Sequence, residues 1–206
     1  LKDYNNTFNN LANYFTPSGV NPYWVLDNNR AIQDKNKFFG KAQLDYSILD
    51  NLKLTYRFGG DYESSRSEQW NAKIEFTPGS PNYGSASGTP GDYEERRFER
   101  VQMNHDFIVN YNTRFNDFSL NAIAGGNINE RQWSRLFGSI SSIDIPGFYD
   151  LSNSLTPATS EQQKEKRRIV GLYVSADLGY KDYAYLTLTA RNDWSSTLPK
   201  DDRSFF

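Results

Sequence analysis

The chain has no cysteine, one histidine and one methionine in 206 residues. Without cysteine there is neither a disulfide framework nor a thiolate metal site, and a lone histidine offers little to a nucleophilic triad or a metal cluster. Charge of one sign is also missing. Lys and Arg number 23 against 25 Asp and Glu, a net charge of −2, which gives no electrostatic footprint for nucleic acid. No run of about eighteen apolar residues occurs and mean hydropathy is −0.77, so no membrane helix is expected. No phosphate-cradling glycine loop is found. Ala124-Gly125-Gly126 lies inside a strand pattern, where glycines serve close backbone packing or a bulge. Asp- and Asn-rich stretches lack EF-hand spacing. No catalytic site, cofactor or metal is expected. An initiator Met and a signal-peptide pattern are absent, and the chain reads as a piece of something longer.

Aromatic residues are abundant: 14 Tyr, 14 Phe and 4 Trp, 16% of the chain. Such a content beside low hydropathy suits a transmembrane β-barrel, which is polar inside, apolar outside and banded with aromatics.

Six stretches alternate with period two, near residues 37–48, 52–64, 100–111, 118–128, 168–180 and 184–194. Leu52, Leu54, Tyr56, Phe58 and Tyr62 oppose Lys53, Thr55, Arg57, Asp61 and Glu63. Leu186, Leu188 and Ala190 oppose Thr187, Thr189 and Arg191. Each apolar face is about 9–11 residues long, enough to cross a bilayer at a barrel tilt, where a soluble sandwich strand averages about 5–6.

Connections also alternate. "LDN", "NTRFND" and "KDY" are short, whereas the stretches around 65–99, 129–167 and beyond 195 are long and irregular. An odd-numbered turn keeps the parity of facing residues and an even one reverses it. The oily face stays on even numbers across "LDN" and "KDY" and switches from odd to even across "NTRFND", so each hairpin sets oil against oil. The expected fold is all-β: about six antiparallel strands of a larger transmembrane barrel, with long extracellular loops. Residues 1–34 read as an extracellular loop segment, with a soluble capping domain as the other reading, and 35–206 as part of the barrel.

Sidedness assigns the candidates. Arg57, Asp61, Glu63, Arg191 and Asp193 fall on the polar face and are expected to line a lumen. Phe38, Tyr62 and Trp194 end oily faces toward the long loops, while Tyr111, Phe118 and Tyr180 flank the short turns. These are expected to form two membrane girdles, with ordinary core aromatics as the plainer reading. His105 falls on the oily side, between Met103 and Phe107, where an imidazole is unwelcome unless a bulge or a packed neighbour accommodates it.

The closing "YLTLTARNDWSSTLP", Tyr185 to Pro199, resembles the barrel signature of the SusC/RagA family of TonB-dependent outer-membrane transporters of Bacteroidetes. "GFYDLSNS", Gly147 to Ser154, is similar to the family's preceding loop, and "LKLTYRFGGDYESS", Leu52 to Ser65, to its strand pattern after a short periplasmic turn. The resemblance implies a barrel of 22 strands around a plug. It implies a SusD-like lipoprotein partner, contact with outer-membrane lipid, coupling to TonB-ExbB-ExbD through regions absent from this chain, and import of oligosaccharides or peptides. A secreted or surface all-β carbohydrate-binding module and a passive porin are the competing readings.

Overall fold

The computed structural model describes residues 11, 19–79, 83–84, 86–181, 183–199 and 202–205. A short helix α1 (Pro22–Asn28) precedes strands β1 (Arg30–Leu49), β2 (Leu52–Asn71), β3 (Asp92–Phe115), β4 (Phe118–Ile140), β5 (Thr159–Tyr180), β6 (Ala184–Ser195) and β7 (Ser204–Phe205). They form one antiparallel sheet in sequence order, so every connection is a hairpin. Among the described residues no helix is long and apolar enough to cross a membrane.

The strands extend well past the oily alternation. β2 continues to Asn71, β3 begins at Asp92, β4 reaches Ile140 and β5 starts at Thr159, all inside stretches read as loop. The reason is chemical. Beyond the apolar stretch both faces become polar, so period-two hydropathy vanishes while the backbone ladder goes on. The segment 1–34 lies partly outside the described residues; its described part holds α1 and the start of β1. The six-residue turn expected at "NTRFND" is tighter, since β3 runs to Phe115 and the chain reverses at Asn116–Asp117. Asn116 has φ 50°, a left-handed conformation that asparagine tolerates better than most residues. Both lengths are even, so the oily face switches parity either way. Pairing of β5 with β6 sets Leu178 opposite Leu186, Ala176 opposite Leu188, Val174 opposite Ala190 and Val170 opposite Trp194.

The chain divides into two compact units. The first comprises Leu1–Lys35, Ser65–Phe98 and Arg135–Gln163, and holds both long connections. Its core is Tyr93, Ile140 and Ile143, with Trp70, Tyr149 and Leu151 packed around them. Trp70 and Tyr149 stack with ring centroids 4.8 Å apart. Gly91 has φ 71°, and a Cβ there would lie 2.9 Å from Ile143 Cδ1, so glycine is required for the approach. The "GFYDLSNS" stretch is a self-stapled loop. Buried Asn153 accepts from the Ile145 amide at 2.9 Å and donates to the Ile145 carbonyl at 2.9 Å, while Asp150 accepts from the Ser152 amide at 2.8 Å. At α1, Asn21 caps the helix by accepting from the Tyr23 amide, and Trp70 Nε1 donates to the Asn28 carbonyl at 2.9 Å.

Ion pairs replace oil along the polar ends of β2 and β3. Arg66 donates to both oxygens of Glu95, at 3.0 and 3.2 Å, and Arg97 Nε donates at 2.7 Å. Hydrogen bonds from Arg66, then those from Arg97, hold the Glu95 carboxyl below the ordinary carboxylate range, against the opposing effect of burial. Burial and the neighbouring Glu68 carboxylate push the Tyr93 hydroxyl up. Because Glu95 titrates lower folded than unfolded, its stabilisation is complete above the unfolded value and is lost as pH falls through the folded one. Amide protection along 93–97 in the full-length protein, taken relative to the unfolded-chain exchange rate at each pH, should therefore fall as pH drops below the usual carboxylate range. Glu95→Gln should flatten that dependence; equal acid sensitivity in the variant would assign it elsewhere.

The second unit, Asn36–Ser64, Glu99–Ser134 and Lys164–Phe206, buries no large apolar side chain among its described residues. Its buried positions among the described residues are Thr55, Glu63, Gly171, Gly179 and Ser195. Leu54, Leu172 and Leu188 are 37%, 55% and 57% exposed, and Leu120 is half-buried. No second sheet covers these leucines among the described residues.

Candidate functional site

The polar face of the second unit carries a dense hydrogen-bonded lattice, built where alternate residues of each strand fall on one side. On β6, Arg191 and Asp193 are two residues apart and form a bidentate pair, Nε to Oδ2 and Nη2 to Oδ1, both 2.7 Å. The Arg191 guanidinium also lies 5.8 Å from the Tyr173 ring centroid on β5. Two glycines make room. A Cβ at Gly171 would collide with Asp193 and Arg191, and one at Gly125 with the Tyr173 ring.

Gly125→Val should cost about 1–3 kcal/mol by overpacking. Tyr173→Ala in the same molecule should recover most of that loss, read from urea unfolding of the full-length protein in micelles. No recovery would mean that the ring is not what fills the space.

The other polar-face candidates fall into separate groups. Asp61 and Glu63 on β2 converge on Arg100 of β3, at 3.6 and 2.9 Å. Arg57 instead donates to Gln43 on β1 at 2.9 Å. The structure thus does not gather the five residues into one constellation. It adds members that sequence reading left unselected: Arg100, and the cluster in which Asn127 donates to Asp106 at 2.6 Å and to Asn104 at 3.1 Å. The signal for these was the shared parity of Arg100, Gln102, Asn104 and Asp106 on one strand. Thr187 and Thr55 donate to Asp177 and Asp45 at 2.7 and 2.6 Å, and Lys53 pairs with Asp45 at 3.3 Å. Such a lattice rigidifies a polar wall.

On the apolar face, Phe38, Tyr62, Tyr111, Phe118 and Trp194 are exposed and Tyr180 is half-buried. Near the short turns Phe118 packs on Tyr180 and Phe115, with centroids 4.9 and 5.7 Å apart, and Tyr183 meets Tyr180 edge-on at 5.7 Å. Phe115 and Tyr183 went unselected because both were read as turn residues. His105 is accommodated by its neighbours. Its Nδ1 lies 2.8 Å from the Tyr56 hydroxyl, and its ring packs 5.1 Å from Phe58. A bulge is unnecessary, because an imidazole partnered by the Tyr56 hydroxyl and packed on Phe58 leaves little bare polar surface on this apolar face.

The sheet matches solved chains of a peptide transporter. Against the structure of the RagAB peptide transporter the TM-score is 0.77 at 16% sequence identity, covering 90% of this chain and 20% of that one. Against the RagAB peptide importer in its closed-closed and open-open states the TM-scores are 0.76 and 0.73, each at 17% identity with the same coverage. No family model and no curated protein matches the sequence. The chain therefore spans 20% of the length of the RagAB chains that it resembles, and the likeness is one of fold: an antiparallel all-β barrel segment.

Proposed function

We propose that this chain is a section of a TonB-dependent outer-membrane importer for oligosaccharides or peptides, working with a SusD-like surface lipoprotein. The observation that carries this reading is that the second unit buries no large apolar side chain among its described residues: its few buried positions are threonine, glutamate, serine and glycine, while leucines stand exposed in rows along one face. Hydrocarbon satisfies that arrangement; water does not. The RagAB-like fold supports the same reading. In it, Arg57, Asp61, Glu63, Arg191 and Asp193 line the aqueous side of the barrel wall, and Phe38, Tyr62, Trp194, Tyr111, Phe118 and Tyr180 belong to its interfacial girdles. The stapled loop 141–158 stands on the extracellular side, where a lipoprotein lid would meet it. Energy coupling through TonB-ExbB-ExbD belongs to parts of the protein outside this chain.

Single cysteines placed in the full-length protein in native outer membranes test the sidedness. Cysteines at Leu54, Leu172 and Leu188 should resist a water-soluble maleimide, whereas one at Ser175 or Thr189 should be modified once the interior is accessible. Free labelling of the three leucine positions would instead favour a soluble carbohydrate-binding module. Deleting the full gene should then abolish growth on an oligosaccharide or peptide source; unimpaired growth on both would remove the importer assignment.

A further inference from the structure

On β5, Lys164, Lys166, Arg168, Val170, Leu172 and Val174 form one column, because alternate strand residues share a side. The adjoining column of β4 is Ala124, Gly126, Ile128 and Glu130. Glu130 joins the two, meeting Lys166 Nζ at 2.8 Å and Arg168 Nε at 2.8 Å. Beyond this ion pair, toward Leu172, the apolar face is hollow. Ala124, Gly126 and Ala190 are too small to fill it, and Phe107, Leu172 and Val174 wall an open groove of about 700 Å³.

We propose that this groove holds one acyl chain of a net-anionic phospholipid, whose phosphate sits on Lys166 and Arg168. The inference rests on the reading that this face meets hydrocarbon. Charge complementarity selects the occupant. Two cations share one carboxylate, leaving a net positive charge at the mouth of the groove. The adjoining hollow is lined by Lys164, Glu99 and Glu165; the first two offset one another, and Glu165 falls on the other side of β5 by alternation, where it accepts from Trp133 Nε1 at 3.2 Å. A guanidinium beside an ammonium suits a phosphate, which accepts charge-assisted hydrogen bonds from both. Arg168 and Leu172 are separated by roughly 13 Å of strand, within the roughly 15 Å depth of one hydrocarbon leaflet. A soluble anion would gain nothing from the groove, and a zwitterionic phospholipid would bring a headgroup ammonium that the two cations repel.

The full-length protein in nanodiscs of phosphatidylcholine doped with phosphatidylglycerol, followed by native mass spectrometry of the released protein, provides the test. Wild type should retain phosphatidylglycerol in preference to phosphatidylcholine. Removing either cation, by Lys166→Gln or Arg168→Gln, should weaken retention about fivefold, and removing both on the order of twentyfold. Glu130→Gln should act in the opposite direction, since it frees both cations for the lipid. Ala124→Phe should displace the chain by filling the groove. Heat-modifiable migration on gels establishes that each variant is a folded barrel, and the Glu130 variant keeps the test open if Ala124→Phe does not fold. Equal retention of the two lipids, or retention unchanged in the Lys166/Arg168 double variant, would overturn the proposal. Maleimide labelling of a cysteine at Leu172 separates the levels: protection without lipid preference sinks only this inference, whereas free labelling sinks the lipid-facing reading as well.

Discussion

Leu172→Arg should destabilise the folded full-length protein by about 2–4 kcal/mol, the cost that the proposed lipid-facing placement carries for an arginine near the bilayer midplane. Leu172 is 55% exposed and stands beside Gly126, where a Cβ would lie 3.2 Å from Leu172 Cδ2, so no packed core absorbs or hides the new charge. The size of the effect depends on what surrounds the residue. In water, an exposed leucine far from any special feature tolerates substitution within about 0.5 kcal/mol. The matched control is Thr189→Arg on the opposite face, beside Ser175, where a hydrophilic wall should accept the charge with little change. Unfolding titrations in lipid vesicles, or the fraction of barrel that resists SDS before heating, give the comparison. Equal tolerance of the two substitutions would remove hydrocarbon from the account of this face.

Ile143→Ala should cost about 2–5 kcal/mol, by loss of buried surface and by the cavity left behind. Ile143 is wholly buried, and its amide donates to the Pro90 carbonyl at 2.9 Å, so one residue ties the two long connections together. Its neighbours Tyr93 and Ile140 belong to strands, whereas Tyr149 and Leu151 belong to the loop, so the cavity opens where loop meets sheet. The loss should be local. Protease cleavage within 141–158 and faster amide exchange there should appear while the exposed leucine band of the second unit is unaffected. Resistance to cleavage equal to wild type would mean that the hydrogen bonds of Asn153 hold the loop without the cluster.

How much was legible followed from the range of each signal. Alternation is a local signal and marks sidedness wherever one face is apolar, which is why the strand cores around Leu54, Leu172 and Leu188 were readable. The same signal is silent where both faces are polar. The outer parts of β2 to β5 were accordingly taken for loop, although pairs such as Arg66 with Glu95 and Arg135 with Glu161 sit on continuous strand there. The turn between β3 and β4 was read too long for a related reason: Phe115 and Asn116 interrupt the hydropathy pattern, and the left-handed φ of Asn116 has no periodic signature. The candidate residues show the same boundary. Asp61 and Glu63 were visible by parity, but Arg100, which joins them, lies 37 residues from Glu63 and is brought to them by strand pairing.

Composition and alternation by themselves determined that this chain forms long antiparallel strands with one apolar and one polar face, because both depend on residues two apart. Only the tertiary structure decided which polar residues bind one another, how Asn153 and Ile143 close the loops, and that small residues on β4 and β6 leave a groove below Glu130. These depend on side chains meeting across strands and turns, where register and volume act together and no single stretch of sequence carries the information.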